Sequence, residues 1–152
     1  DTIKGLLETK YKHKRSGIKN TELFLSKLNP AILENARLDL RIGRFDIAQR
    51  GVEKYLRTNK KDARAYYLLG EIFRQRGEEH EYDKALGYYQ KAILIDSSYA
   101  EPHKAMGIIH YKVGRKALAK KFFESCLLLA PDTPDKAYIQ GYIKQCLKGR
   151  EG

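Results

Sequence analysis

The chain has 152 residues, of which 42% are hydrophobic and 32% charged, and its net charge is +11. This apolar content is too high for a disordered chain, and no stretch of sequence approaches the ~20 apolar residues that cross a bilayer. The 30 lysines and arginines against 19 acidic residues favour acidic partners such as nucleic acid, an anionic membrane or an acidic protein. Lysine-rich solvated helix faces give the same balance, so this interpretation stays open.

The first 28 residues predict an irregular, basic and partly helical extension. Ile3, Leu6 and Leu7 have helical spacing, and the basic stretch Lys10–Lys19 follows them. We expect this extension to pack on the element that comes next. Because the chain begins with Asp1 and shows no apolar leader, we also expect a processed protein or a piece of a longer one, without a signal peptide.

Residues 29–62 predict a first helical hairpin. Pro30 suits the opening turn of a helix, where its missing N–H costs nothing, and Gly43 ends that helix after Ile42. A second helix over Phe45–Arg57 has apolar residues at spacings of three and four.

Two further hairpins are predicted at residues 63–99 and 100–133. Relative to its neighbours, the hairpin at 63–99 has three extra residues, which we place as a short insertion in the turn between Gly77 and Glu81. Pro131 ends the last helix of the third hairpin. Residues 134–149 then predict one more helix, which covers the exposed edge of the stack. This helix contains Tyr138, Gly141, Ile143 and Leu147.

Small residues recur along these elements with a period near 34 residues. Ala36, Gly70, Gly107 and Gly141 are separated by 34, 37 and 34 residues. Turn glycines and helix alanines follow them in the same order: Gly43, Gly77, Gly114, Ala48, Ala85 and Ala119. This period is typical of stacked helical hairpins, in which small residues let neighbouring helices approach closely.

These residues resemble the tetratricopeptide repeat family, whose repeat has an aromatic residue, Leu-Gly, a turn glycine, alanines and a closing proline. The hairpin at 63–99 matches it at Tyr66, Leu69, Gly70, Phe73, Gly77, Ala85, Tyr89 and Ala92. The third matches at His103, Met106, Gly107, His110, Gly114, Ala119, Phe123, Cys126 and Pro131. The first is degenerate. Over residues 29–149 the resemblance implies an all-α fold, a right-handed superhelix of stacked antiparallel helix hairpins.

In this family the first helix of each hairpin lines a concave groove. The positions that the resemblance places there are basic and aromatic: Arg37, Arg41, Arg64, Tyr67, Glu71, Arg74, Lys104, Ile108, Tyr111, Lys112, Tyr138 and Tyr142. Because tyrosine and arginine are frequent interface anchors, we predict a non-enzymatic protein-interaction module, an adaptor or scaffold, for an acidic partner segment with a few apolar anchors. The alternative is that Tyr67 and Tyr111 only pack against neighbouring helices.

One specialised ligand class of the family is not expected here. Its two-carboxylate clamp for the acidic tails of heat-shock chaperones requires lysine, asparagine and arginine at set positions of the first helices. This sequence has Leu33, Arg37, Leu68, Glu101 and Ala105 at those positions, so we predict that such tails are not bound in the usual way.

No catalytic or metal-binding motif is recognisable, so we predict that the chain is not an enzyme and holds no cofactor or metal. His103 and His110 lie seven residues apart on one helix face, but at positions that the family fills with packing aromatics, which favours a core role. Cys126 and Cys146 are predicted to be buried thiols, and a bridge between them is left open.

Three alternatives remain at this point. The stretch Lys10–Lys19, which contains Tyr11 and His13, is similar to a nucleic-acid or anionic-surface contact. The third hairpin is similar to bacterial repeat segments, some of them in envelope-associated proteins. The chain would then be the interaction domain of a larger protein in the periplasm or cell envelope, with the cytoplasm as the other option. The sequence also leaves open self-association, in which the edges of the repeats stack between chains.

Overall fold

The computed structural model describes residues 30–148, which form seven α-helices. In chain order they are α1 (30–41), α2 (Phe45–Leu56), α3 (Ala63–Arg76), α4 (Tyr82–Ile95), α5 (Ala100–Lys112), α6 (Lys116–Leu129) and α7 (Lys136–Lys148). A short 3₁₀-helix, Glu79–Glu81, lies in the inserted turn before α4. Within this part of the chain there is no strand. The predicted extension at residues 1–28 lies outside the described residues.

Successive helices pack as stacked hairpins. Helix α3 packs against α4 and α5 against α6, while α2–α3 and α4–α5 contacts join one hairpin to the next. Helix α7 packs against α6 and closes the end of the stack. The predicted all-α solenoid is therefore confirmed, and the first helices α1, α3, α5 and α7 follow one another through the stack. We call the surface that they share the first-helix face.

Each first helix that is followed by a second helix ends at a glycine with positive φ. Gly43, Gly77 and Gly114 have φ angles of +82°, +75° and +85°. Because an L side chain is strained in this left-handed region, glycine is the residue that reverses the chain there at least cost. The periodic glycines of the sequence are thus explained by the geometry of the turn.

The small residues inside the first helices have a second cause, which is close contact with an aromatic ring. A Cβ atom on Gly70 would lie 2.6 Å from Cδ1 of Tyr89, and one on Gly107 would lie 2.7 Å from Cε1 of Phe123. Both distances are too short for a real Cβ atom. Glycine therefore lets the aromatic ring pack directly against the helix backbone. Among residues 30–148, no atom lies within 4 Å of a Cβ placed on Gly141, so the prediction that it is an equivalent packing position is wrong.

The core runs along the stack, because each of its three largest clusters joins residues of three successive helices. The buried faces of the second helices are Ala48, Val52 and Tyr55 in α2, Ala85, Tyr89 and Ala92 in α4, and Ala119, Phe123 and Cys126 in α6. These positions have the spacing predicted from the sequence, because one stripe of each amphipathic helix must face its partner.

Helix α7 buries Ile139 and Cys146, whereas Tyr138 is 54% and Leu147 42% exposed. Its buried residues share a core cluster with residues of both α5 and α6. Leu147, one of the recurring residues expected in this helix, therefore lies outside its buried face, and Tyr138 is exposed at a position that was predicted to line the groove.

Cys126 and Cys146 are buried, as predicted, and both are free thiols. The charged neighbours of Cys126 include Lys104, while those of Cys146 are Lys116 and Lys120. Six residues of α6, about 9 Å of helix, separate Lys120 from Cys126. Both thiols belong to the core cluster formed by α5, α6 and α7, and burial raises the pKa of each.

Candidate functional site

A cleft of about 560 Å³ opens on the first-helix face between α1, α3 and α5. Helices from three successive hairpins contribute to it, and three of the predicted groove residues, Arg37, Arg64 and Tyr67, lie in its lining. The other lining residues are Pro30, Leu33, Glu34, Leu68, Tyr99 and Glu101. Within residues 30–148, the cleft is therefore the place where three of the predicted groove residues line one cavity.

Two tyrosines form an aromatic wall of the cleft. The rings of Tyr67 and Tyr99 meet edge to face, with centroids 5.3 Å apart. Burial is the main cause that raises the pKa of Tyr67, and burial with the nearby Glu101 raises the pKa of Tyr99 to about 12. Both phenols stay neutral near pH 7. Among the tyrosine hydroxyl bonds within residues 30–148, none involves these two.

Tyr99 was not among the groove residues predicted from the sequence. It lies in the loop between α4 and α5, directly before the first residue of α5, and the prediction considered only residues inside the first helices. The repeat register could have indicated it. Tyr99 lies 37 residues after Asp62, and each is the residue directly before a first helix, Asp62 before α3 and Tyr99 before α5.

The charged groups at the rim of the cleft balance one another. Arg37 lies 3.5 Å from Glu34, and Lys104 lies 2.9 Å from Glu101. Arg64 forms a close pair with Asp62 at 2.9 Å, yet 71% of its side chain is exposed. The groove was predicted to be basic, but the cleft itself contains two arginines against two glutamates.

Glu71 and Arg74, two other predicted groove residues, belong to a buried network. Glu71 is 8% exposed and accepts bonds from Arg74 Nε at 3.0 Å, Arg74 Nη2 at 2.7 Å, the Tyr89 hydroxyl at 2.6 Å and Gln75 at 3.2 Å. Burial pushes the pKa of Glu71 upward, but the bonds from Arg74, Tyr89 and Gln75 outweigh it and hold the pKa below its usual value. These two charges therefore satisfy each other inside the hairpin.

The tyrosine cluster, Tyr111, Tyr138 and Tyr142, links α5 to α7. The Tyr142 ring lies 4.9 Å from Tyr111 and 5.0 Å from Tyr138, and it stacks on Phe123 at 5.0 Å. The Tyr111 hydroxyl donates to Gln145 at 2.6 Å, and that of Tyr138 donates to Tyr142 at 3.2 Å. Tyr111 therefore packs against a neighbouring helix, as the alternative for this residue expected. Tyr138, in contrast, is exposed.

The remaining predicted groove residues differ in their surroundings. Lys104 donates to Asp135 at 2.6 Å and holds α5 to the loop before α7. Ile108 is buried in the core cluster that contains Phe123. Arg41 and Lys112 are exposed at the ends of α1 and α5, outside the lining of the cleft.

The inserted turn brings three potential metal ligands together, which the sequence analysis did not anticipate. One ligand atom each of Glu78, His80 and Glu81 lies within 4.8 Å of the others. His80 is 3.2 Å from Glu78, and Arg76 lies 3.7 Å from Glu81 and supplies positive charge there. The turn is therefore a self-paired, mostly exposed charge cluster.

Comparison with known proteins places the fold. The sequence profile of the Tetratricopeptide repeat family matches residues 63–99 and 105–133. The "First TPR of Spaghetti (RPAP3) bound to HSP90 peptide SRMEEVD" is similar in structure, with a TM-score of 0.71 and 14% identity over 84% of this chain and 96% of that one. The Yersinia enterocolitica secretion chaperone SycD, solved with a peptide of the translocator YopD, gives 0.72 and 14% over 80% and 93%. At these identities the likeness shows the fold.

A mouse protein, the O-mannosyl-transferase TMTC1, is 30% identical over 90 residues, which are 57% of this chain. The chain spans only 9% of that relative's length.

Of the helices between residues 30 and 148, none has the length and apolar content that a membrane span requires.

Proposed function

The chain carries tetratricopeptide repeats, and from this premise we propose that it is a non-enzymatic protein-interaction module whose cleft binds a segment of a partner protein. The observation that supports the proposal is the cleft itself, since three hairpins contribute to it and exposed arginines line it together with Tyr67 and Tyr99, whose hydroxyls have no hydrogen-bond partner within residues 30–148. Structurally similar repeat domains have been solved with peptides of HSP90 and YopD.

The partner segment is acidic with apolar anchors. Arg37 is paired with Glu34 at 3.5 Å and Arg64 with Asp62 at 2.9 Å, yet the two arginine side chains are 65% and 71% exposed. Their guanidinium N–H groups outside these pairs, together with the phenol hydroxyls, can donate hydrogen bonds to a ligand. A ligand carboxylate is the better complement to these donors. Leu33 and Leu68 offer apolar wall between them, where an aliphatic or aromatic side chain of the partner removes surface from water.

The test begins with capture of partners at about 0.1 and 0.5 M salt, followed by affinity measurements on the purified partner. The variant Arg37→Ala/Tyr99→Phe removes two donors from the cleft and leaves the ring of residue 99 in place. We expect at least about a tenfold loss of affinity. The matched control Arg41→Ala/Lys112→Ala removes two exposed cations outside the cleft and should change affinity less than about twofold.

Equal affinity of the cleft variant and the wild type would move the binding site away from the cleft. Loss of binding in the control alone would place the site toward the ends of α1 and α5. Circular dichroism of each variant shows whether the helical fold is retained.

Nucleic-acid binding through Lys10–Lys19 is the second candidate, and the net charge of +11 favours it. Because phosphate contacts release counterions, such binding falls steeply as salt rises. Nucleic acid that is retained at about 0.1 M salt and lost at about 0.5 M would support this candidate. Charge reversal in Lys10–Lys19 should then abolish retention, while the cleft variant leaves it unchanged.

A further inference from the structure

Two imidazoles of α5 lie close to one aromatic ring of α6. The ring of His110 stacks on Phe122, with centroids 5.3 Å apart and an interplanar angle of 10°. The ring of His103, two helical turns earlier, lies 6.2 Å from the same Phe122. His110 is 5% exposed. The α5–α6 hairpin is thus held partly by two histidines in the place of aromatic residues.

Three of the four ring nitrogens are buried without a hydrogen-bond partner within residues 30–148, namely Nδ1 and Nε2 of His103 and Nδ1 of His110. The charged group that acts on His110 from the surrounding elements is Arg115, in the turn between α5 and α6. No charged side chain of α4, α5 or α6 acts on His103. Protonation would therefore place unpaired charge in the interior, where it is costly.

We propose that the α5–α6 hairpin is an acid-sensitive element, in which protonation of His103 and His110 separates the two helices and releases the partner. Separation of α5 from α6 would affect both the cleft and the end of the stack. Helix α5 supplies one side of the cleft through Glu101 and anchors α7 through Lys104 and Tyr111. A local opening of this hairpin removes one wall of the cleft while α1 to α4 stay folded.

The direction of the pH effect on stability follows from the pKa of each imidazole in the folded and in the unfolded chain. Burial lowers the pKa of both histidines in the folded chain, and Arg115 lowers that of His110 further. The unfolded chain, with its ordinary pKa near 6.5, then takes up more protons as the pH falls. Stability is therefore complete above about pH 7 and decreases as the pH falls through the unfolded value.

The preceding hairpin shows which substitutions preserve the packing. Tyr66 and Phe73 lie 37 residues before His103 and His110. The Phe73 ring stacks on Tyr88 at 5.5 Å and 12°, which is the same arrangement as His110 on Phe122. The double variant His103→Tyr/His110→Phe therefore places the aromatic pair of one hairpin into the other and removes both titrating groups.

The experiment measures thermal unfolding of the full chain by circular dichroism at about pH 7.5 and pH 5.5, a range above the titration of most carboxylates. We expect the melting temperature of the wild type to fall by about 5–10 °C, and that of the double variant by less than about 2 °C. The control His80→Gln changes a histidine whose side chain is 73% exposed and should keep the full decrease. A decrease of equal size in the double variant, or none in the wild type, would overturn the proposal.

Hydrogen exchange of the wild type supplies a test that needs no variant. After correction for the intrinsic effect of pH, amides of α5 to α7 should lose protection at about pH 5.5 while those of α2 to α4 keep it. Loss of protection spread evenly over all helices would overturn the local opening. The single variant His110→Phe, which makes the smaller change, should restore part of the protection in α5.

Discussion

The second hairpin (α3–α4) and the third (α5–α6) have one backbone arrangement and two different interiors. In each, a glycine of the first helix lies under an aromatic ring of the second, Gly70 under Tyr89 and Gly107 under Phe123. The polar network of the second hairpin, however, has apolar or aromatic replacements in the third: Glu71, Arg74 and Tyr89 correspond in register to Ile108, Tyr111 and Phe123. The shape of the contact is therefore constrained, whereas its polarity is free to change.

This freedom gives the two hairpins different responses to acid. The pKa of Glu71 is held below its usual value of 4.5, so its contribution to stability is present above that value and is lost as the pH falls further. The contribution of the third hairpin's histidines to stability decreases as the pH falls through about 6.5, the pKa of an imidazole in the unfolded chain. The third hairpin should therefore loosen first on acidification, and the second should follow in a lower range.

The largest expected effect tests the buried network of the second hairpin. Glu71→Ile introduces the residue of the third hairpin alone and leaves the buried guanidinium of Arg74 without its carboxylate. Removal of one partner of a buried ion pair costs about 3–5 kcal/mol. Urea unfolding monitored by circular dichroism measures the loss.

The triple variant Glu71→Ile/Arg74→Tyr/Tyr89→Phe is the matched control, because it installs the complete set of the third hairpin. Replacement of a whole buried pair by packed apolar groups is close to neutral, so we expect a change within about 1 kcal/mol. A triple variant as unstable as the single one would mean that the two interiors are not interchangeable.

A somewhat smaller effect is expected where the hairpins agree. Gly107→Leu would drive a side chain into the ring of Phe123, since even a Cβ lies 2.7 Å from it, and should cost about 2 kcal/mol or more through overpacking. Gly141→Leu, at a position with no atom near its Cβ, is the control and should be neutral or slightly stabilising. An unchanged melting temperature for Gly107→Leu would show that the assigned register is wrong.

The smallest effect concerns the start of each first helix. Asp62 caps α3 by accepting the backbone N–H of Arg64 at 3.0 Å and the Tyr55 hydroxyl at 2.6 Å, whereas Tyr99 before α5 makes no side-chain cap. Asp62→Ala should cost about 1 kcal/mol of stability.

The control for this variant is Asp132→Ala, in the exposed loop before α7, for which we expect no measurable change. If thermal melts of Asp62→Ala and Asp132→Ala coincide, the cap contributes nothing, and the difference between the starts of α3 and α5 has no energetic meaning.

Much of the fold was predictable because local chemistry and tertiary packing agree. The turn glycines, the second-helix stripes and the insertion at Glu79–Glu81 follow from periodicity and backbone sterics alone. The repeat pattern was less informative at α7, where Ile139 is buried and Leu147 is 42% exposed. The side that α7 buries is set by its contacts with α5 and α6, and the repeat pattern does not encode them.

The sequence by itself determined the hairpins, their stacking order and the set of residues on the first-helix face, since these depend on spacing along one chain. Only the tertiary structure decided which of those residues remain available. Glu71 and Arg74 form an ion pair with each other, and Lys104 forms one with Asp135. Tyr99, which lies in a loop, lines the cleft. Side-chain pairing across helices depends on distances of a few ångströms, and a sequence pattern does not contain them.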